Sequence, residues 1–183
     1  MRNLLLVLLL GSLAVAAILS FIALGISNPV PWLLCLSLLV IPFLIKRKDE
    51  AEYVEWKDEY SVGAELLDAD HKKLLGLINN LQTAVHYQTG DEFEKEALDN
   101  VIDYTKYHFA REEQMMKEAG YKDFEAHKQE HQKMILKIDA LVMEYNLQGH
   151  EVLKEITLFL KNWLVSHING TDQAYSSLLK DKP

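Results

Sequence analysis

The stretch HFAREEQMMKEAGYKDFEAHKQEH, residues 108–131, decides how this chain folds. Two pairs of polar side chains open and close it, and the partners in each pair are four residues apart: His108 with Glu112, and His127 with His131. Side chains four apart lie on the same face of an α-helix, close enough to bind one metal site together. A glycine between the pairs predicts a turn. The stretch therefore predicts two antiparallel helices whose polar pairs face each other.

Apolar residues at helical spacing on both sides of this stretch predict four helices, and no segment has the alternation of a strand. We expect Asp68 to be the N-cap of the first helix and residues 91–94 to form a capping box that opens the second. The predicted helices span about residues 68–89, 91–119, 123–147 and 151 onward. Short turns between them predict an all-α fold, with an up-down-up-down four-helix bundle over residues 67–183.

The charge distribution separates the first part of the chain from the rest. Of the 19 basic residues only Arg2 precedes Lys46, and all 27 acidic residues follow Lys46. The part from Lys46 onward is therefore acidic, which argues against nucleic acid as a partner because phosphate binding needs a basic face. The single cysteine, Cys35, lies in the apolar part, so any metal site must use imidazole and carboxylate ligands.

Residues 1–48 predict a transmembrane hairpin with spans at about residues 4–26 and 30–45. The first span is long enough to cross a bilayer, and Pro42 interrupts the second. The alternative is a cleaved signal peptide with Ala14 to Ala16 as its small-residue site, although the apolar run continues well beyond it. Residues 49–66 are expected to be a charged linker and N-terminal arm.

The basic residues predict the orientation of the hairpin. Arg2 and the cluster from Lys46 to Lys48 lie on the same side, and the connecting loop has no charge. The positive-inside rule therefore places both ends, and the domain after them, in the cytoplasm at the inner membrane. The same basic cluster is expected to contact anionic membrane lipid.

Three further residues fall on predicted core-facing positions or near them: His71, His167 and Asp172. Burying so many titratable groups without a cation would cost several kcal/mol for each group left charged or unpaired. His167 and Asp172 are five residues apart, so they diverge by roughly 140° on a regular helix. They meet only if the helix is distorted near Gly170. The alternative is that the helix ends at Gly170 and Asp172 caps the next turn.

Taken together, the motifs resemble those of the hemerythrin family over about residues 53–178. The matching features are LDADHKKL at 67–74, His108-x-x-x-Glu112, His127-x-x-x-His131 and His167-x-x-x-x-Asp172. The resemblance implies two iron ions, oxo- or hydroxo-bridged, in a non-haem di-iron centre. One iron would be held by three histidines and the other by two, with an open position on the second. The implied ligands are His127, His131 and His167 for the first iron, His71 and His108 for the second, and Glu112 and Asp172 as bridges.

The resemblance also implies that dioxygen binds at the open position in an apolar pocket. Four residues next to the predicted ligands match the family's pocket positions: Phe109, Trp163, Leu164 and Ile168. We therefore expect a membrane-anchored protein that stores, delivers or buffers oxygen, with no enzymatic activity. A membrane-bound oxygen-consuming protein is the expected partner. The alternatives are an oxygen or redox sensing module, and nitric-oxide or peroxide scavenging or iron handling at the same centre.

Overall fold

The computed structural model describes residues 2–87 and 89–180, and these residues form helices and turns without a β-strand. The all-α prediction is confirmed for this part of the chain. The chain divides into two compact units, Met1–Glu52 and Tyr53–Pro183. Each unit is described by itself below.

The first unit is a pair of helices, α1 (Arg2–Leu24) and α2 (Pro29–Glu52). They contact each other through Trp32, whose ring meets Phe21 edge-on at 5.2 Å between ring centroids. Most of the large apolar side chains of both helices are exposed in this unit. By length and composition, segments Leu4–Leu24 and Pro29–Lys48 could each cross a membrane, although a signal sequence would pass the same test.

Helix α2 is longer than the sequence predicts. It passes through Pro42, which we expected to interrupt the second span, and continues through the basic cluster to Glu52. A proline removes one backbone hydrogen bond and can bend a helix without ending it, and lysine and arginine are good helix formers. The first four residues of the predicted linker therefore belong to this helix.

The second unit begins with an arm that runs from Tyr53 to the start of the first long helix and includes a 3-10 turn at Asp58–Tyr60. The side-chain amide of Asn79 donates to the backbone carbonyl of Val54 at 2.8 Å and accepts from its N–H at 2.9 Å. These two hydrogen bonds hold the arm against the helix that contains Asn79.

Four long helices and one short helix follow the arm: α3 (Glu65–Tyr87), α4 (Asp91–Glu118), α5 (Phe124–Gln148), α6 (His150–Gly170) and α7 (Ser176–Leu179). Helix α3 packs against α4 and α6, and α5 packs against the same two helices. Between them lies a core of buried aliphatic and aromatic side chains drawn from all four. Gly120 and Gly149 have positive φ angles of 70° and 68°, which a glycine adopts without steric cost at turns between helices.

Two predicted helix caps are wrong. Helix α3 begins at Glu65, so Asp68 is not its N-cap but lies in its first turn. Its carboxylate accepts hydrogen bonds from the N–H of Val62 at 2.8 Å and from the hydroxyl of Ser61. Helix α4 has no side-chain cap, because its N-cap is Gly90 and Asp91 lies inside the helix; Glu94 of the predicted capping box is buried and pairs with another residue.

That residue is His150, at the start of α6, whose Nδ1 lies 2.7 Å from a carboxylate oxygen of Glu94. The carboxylate therefore pairs with a residue distant in the sequence and not with the start of its own helix.

Candidate metal centre

The first two predicted pairs lie on α4 and α5. His108 and Glu112 occupy the second half of α4, and His127 and His131 occupy the first turns of α5. Because only a short turn joins the two helices, the end of α4 and the start of α5 are neighbours. Nε2 of His131 lies 3.2 Å from one oxygen of Glu112, and Nε2 of His127 lies 3.6 Å from the other.

The other three predicted residues come from α3 and from the end of α6. His71 lies near the start of α3, and His167 lies in the last turn of α6. Helix α6 ends at Gly170, and Asp172 begins a 3-10 turn at Asp172–Ala174. The break turns the Asp172 carboxylate back so that it lies 3.0 Å from Nε2 of His167, although the two residues would diverge on a regular helix.

The structure brings all seven predicted side chains together in the interior of the second unit. Each is at most 5% exposed to solvent: His71, His108, Glu112, His127, His131, His167 and Asp172. Four of them present one ligand atom each within 4.8 Å of one another, a group that could hold a metal ion: Glu112, His127, His131 and His167.

Three histidines form one half of the site. Nε2 of His131 lies 3.1 Å from Nε2 of His127 and 3.0 Å from Nε2 of His167. Ligand atoms about 2.1 Å from one ion and at right angles to each other are about 3.0 Å apart. The spacing of the three imidazoles therefore fits donors that share one first-row metal ion.

Two histidines, His71 and His108, form the other half, and the two carboxylates lie between the halves. Asp172 presents Oδ2 to Nε2 of His71 at 3.4 Å and Oδ1 to His127 of the three-histidine half at 3.5 Å. Oε2 of Glu112 lies 3.6 Å from Nε2 of His108. Each carboxylate thus faces both groups of histidines, as a ligand that bridges two ions must.

The buried polar atoms of the site are not satisfied by the protein. No described residue gives a hydrogen bond to either oxygen of Asp172, to either ring nitrogen of His71, or to Nε2 of His108. Buried polar atoms are nearly always paired, and a group of unpaired ones needs an explanation. Metal ions between the two halves would satisfy the Asp172 oxygens and Nε2 of each ring, so the donor set fits iron or a similar first-row metal.

Burial has the largest effect on the histidine pKa values. It lowers the pKa of His71 to about 3, with a further contribution from the charge of His108, and it lowers the pKa of His167 to about 4. The pKa of His131 is lowered for the same reason. Without metal these three imidazoles are neutral near pH 7, which is the form that binds metal.

His108 and His127 behave differently because carboxylates surround them. Burial is the largest single effect and lowers the pKa of each. At His108 the carboxylates of Asp70, Glu112 and Asp172 together outweigh it, and at His127 those of Glu112, Asp172 and Glu113 do, so both pKa values are raised. Burial raises the pKa of Asp172 well above its usual value, and the neighbouring Glu112 charge raises it further.

Three residues around the donors were not predicted to have a role. The hydroxyl of Tyr175 is buried and donates a hydrogen bond to Glu112. Glu113 lies 3.1 Å from Nδ1 of His131, on the far side of that ring from the donor atoms. Asp70 lies 3.5 Å from Nδ1 of His108. Carboxylates behind histidines are a common feature of metal sites, but the sequence has no spacing signal that links them to their partners.

Three of the four predicted pocket residues are buried in the core beside the histidines, and Trp163 is partly buried against it. Phe109 stacks on the ring of His131 with 3.7 Å between ring centroids, and Trp163 stacks on His167 at 4.2 Å. Leu164 and Ile168 are buried in the main apolar core. A role for these four residues in holding a gas molecule stays a prediction.

Comparisons with known proteins agree with this geometry. The family model described as the hemerythrin HHE cation binding domain matches residues 62–179. A bacteriohemerythrin of Stenotrophomonas maltophilia (strain R551-3) is 37% identical over 130 residues, which cover 68% of this chain and 80% of the relative. A bacteriohemerythrin of Pseudomonas aeruginosa (strain LESB58) is 33% identical over 140 residues, covering 71% and 89%.

A solved structure gives the same result. The crystal structure of wild-type hemerythrin has 31% sequence identity and a TM-score of 0.65, and the match covers 69% of this chain and 98% of that one. The helical fold is therefore that of a known family. The chain belongs to the hemerythrin family.

Proposed function

We propose that this protein binds dioxygen reversibly at a non-haem di-iron centre in residues 53–180, and that it stores, delivers or buffers oxygen at a membrane. The observation that carries the proposal is the position of Asp172, whose two oxygens face different groups of histidines. That arrangement supports two adjacent metal ions better than one. Membership of the hemerythrin family supports iron as the metal.

In this proposal the two halves of the site hold one iron each. His127, His131 and His167 would hold the first iron, and His71 with His108 would hold the second. Glu112 and Asp172 would contribute to both. The four-helix arrangement is up-down-up-down, because donors from the first halves of α3 and α5 then meet donors from the second halves of α4 and α6.

The number of donors supports binding rather than oxygen activation. The three-histidine half offers one imidazole more than the two-histidine half, so an iron held by His71 and His108 would keep a position for dioxygen. When bound, the iron pair supplies the electrons that dioxygen accepts reversibly. Oxygen-activating di-iron proteins in ferritin-like bundles use four carboxylates and two histidines, whereas this site has two carboxylates and five histidines. We therefore assign it a non-enzymatic role.

The residues around the donors exclude water. Phe109 and Trp163 cover two histidines of the first half by stacking on them, and Leu164 and Ile168 fill the core beside them. In this proposal these four side chains line the gas pocket. An apolar lining admits dioxygen and keeps out water and anions, which would otherwise displace it.

The experiment is an oxygen titration of the full chain loaded anaerobically with ferrous iron. We expect a visible absorption band that appears with oxygen and disappears under vacuum, over repeated cycles. Permanent oxidation of the iron without a reversible absorption band would contradict reversible oxygen binding. Continuous oxygen, peroxide or nitric-oxide consumption with a reductant would instead make the protein a scavenger.

The membrane part of the proposal rests on the first unit. The exposed apolar side chains of α1 and α2 would be unfavourable in water and favourable in the hydrocarbon interior of a membrane. The positive-inside rule places Arg2 and Lys46 to Lys48, and with them the iron-binding domain, on the cytoplasmic side. A membrane-bound oxygen consumer is then the partner we expect.

Fractionation tests this part. We expect the chain in the membrane fraction, resistant to alkaline carbonate, with an intact mass that includes residues 1–26. A chain found in the soluble fraction, or an intact mass equal to that of a chain cleaved after Ala16, would contradict the proposed membrane anchor.

A further inference from the structure

Asp70 is a buried carboxylate next to His71 on α3 that is not one of the seven donors. Only 2% of it is exposed. Its Oδ1 accepts hydrogen bonds from the hydroxyl of Tyr104 at 2.7 Å and from Nη1 of Arg111 at 3.1 Å, both on α4. A buried charge held by two such donors has a fixed position and remains ionised.

The other oxygen of Asp70 points at a donor of the two-histidine half. Oδ2 lies 3.5 Å from Nδ1 of His108, and neither atom has a hydrogen bond to any described residue. Nε2 of the same ring lies on the side of Glu112, at 3.6 Å from Oε2. The His108 ring therefore sits between two carboxylates, one that faces the metal and one that faces away from it.

This placement has a consequence for the proton on His108. A neutral imidazole carries one N–H, and which nitrogen carries it depends on the hydrogen bond made by the other side of the ring. A carboxylate at Nδ1 keeps the N–H there and leaves the lone pair of Nε2 free to bind metal. The contact is longer than a charge-assisted hydrogen bond, so a small movement of the ring on metal binding would complete it.

We propose that Asp70 is a positioning residue for the two-histidine half of the centre, accepting a hydrogen bond from Nδ1 of His108 when Nε2 binds iron. This inference rests on the proposed di-iron site. Because Asp70 is adjacent to His71 on α3 and faces His108 on α4, it also fixes the two histidines of this half relative to each other. Its effect falls on the iron that has the open position.

Glu113 provides the matched comparison in the other half. It lies 3.1 Å from Nδ1 of His131, but its side chain is 21% exposed and its other partner, Lys128, is 3.8 Å away. The same chemical change can therefore be made behind one histidine of each half. Substituting Asp70 should affect one iron, and substituting Glu113 should affect the other.

The experiment is an anaerobic ferrous titration of the full chain, by calorimetry, with wild type, Asp70→Asn and Glu113→Gln. Wild type should bind two irons. In Asp70→Asn one of the two irons should bind at least about tenfold more weakly, and the affinity for the other should be unchanged. A loss of this size is in the range found when residues that orient metal ligands are substituted. Tyr104→Phe, which removes one anchor of Asp70 but keeps its carboxylate, should weaken the same iron by less.

A double-mutant cycle identifies the half that is affected. In a His71→Ala background, Asp70→Asn should leave the remaining iron unchanged, whereas in a His167→Ala background it should still weaken iron binding. Equal weakening of both irons by Asp70→Asn, or none, would overturn the inference, because a general structural role does not select one half. A wild-type chain that binds fewer than two irons would reject the di-iron proposal itself, which separates the two failures.

Discussion

The same four helices build two different kinds of interior in residues 53–180. The first halves of α4 and α6 and the second halves of α3 and α5 meet in a hydrocarbon core, with residues such as Leu81, Ile138, Leu153 and Ile156 fully buried. The other halves of these helices, with the turn that follows α6, bury the five histidines and two carboxylates of the candidate metal centre. In the hydrocarbon part the buried Glu94 pairs with His150, whereas in the donor part both oxygens of Asp172 and both ring nitrogens of His71 have no hydrogen-bond partner among the described residues. One part stabilises the fold by itself, and we expect metal binding to stabilise the other.

The largest expected effect is the stabilisation of the donor part by iron, which the hydrocarbon part should not share. A ligand that binds only the folded state at 1,000 times its dissociation constant adds about 4 kcal/mol to the free energy of unfolding. We expect His127→Ala to lower iron occupancy and remove most of this increment. The measurement is denaturant unfolding with and without ferrous iron under anaerobic conditions.

The control for this variant is His150→Ala. His150 pairs with Glu94 rather than with the donors, so its substitution should leave iron content and the iron-induced increment unchanged. An increment that survives in His127→Ala would contradict the assignment of this residue as a donor.

A substitution in the hydrocarbon part should have the opposite pattern. Leu153→Ala leaves a cavity at a fully buried position, which should lower the free energy of unfolding by about 3 kcal/mol. The loss should be the same with and without iron, because the site lies elsewhere on α6. A change in the iron-induced increment as large as the loss itself would show that the two parts are not independent.

The donor part should also respond to pH. In the iron-free protein the raised pKa values of His108 and His127 mean that these imidazoles bind protons at a pH where free histidine has lost them. Iron must displace these protons, so its affinity should fall as the pH falls, by about tenfold per pH unit for each proton displaced. His71 and His167, with pKa values of about 3 and about 4, have no proton to lose near neutral pH.

Calorimetry of ferrous loading at pH 7.5, one unit above the ordinary pKa of histidine, in two buffers with different heats of ionisation, measures this release. We expect the buffer to take up more than the roughly 0.2 proton per chain that two imidazoles of ordinary pKa would carry at this pH. Identical heats in both buffers would contradict the raised pKa values.

The smallest expected effect concerns the side chains that cover the donors. Leu164→Ala should admit solvent to the centre and speed autoxidation of the oxygenated protein several-fold, while iron content remains at the wild-type level. Leu158→Ala, at an exposed position of the same helix, is the control. Equal autoxidation rates for Leu164→Ala and wild type would remove Leu164 from the proposed pocket.

The sequence predicts much of this site because its signals are local. His108 with Glu112, and His127 with His131, are four residues apart, and helical geometry alone places each pair on one face. The periodicity of the apolar residues then predicts that these faces point inward. The four long helices were predictable for the same reason, because their apolar periodicity is also a local signal.

The remaining features depend on contacts between residues that are distant in the sequence. The spacing of His167 and Asp172 left two alternatives: a distorted helix that brings the two side chains together, or a helix that ends at Gly170. The structure has features of both, because α6 ends at Gly170 and the turn after it brings the Asp172 carboxylate back to the site. Glu94 had the spacing of a capping residue, but His150, 56 residues away, takes its carboxylate.

Asp70 shows the same limit most clearly. Its hydrogen-bond partners on α4 are 34 and 41 residues away, so no local pattern connects them. A charged residue beside a predicted ligand looks like an ordinary solvent-exposed position in the sequence. Only the packing of α3 against α4 shows that it is buried.

The most direct test of the account is the iron content of the full chain. The protein should be loaded anaerobically with ferrous iron, freed of excess metal, and measured for iron and protein in the same sample. The account predicts two irons per chain, because two groups of histidines share two carboxylates between them. One iron per chain, or none, would contradict it.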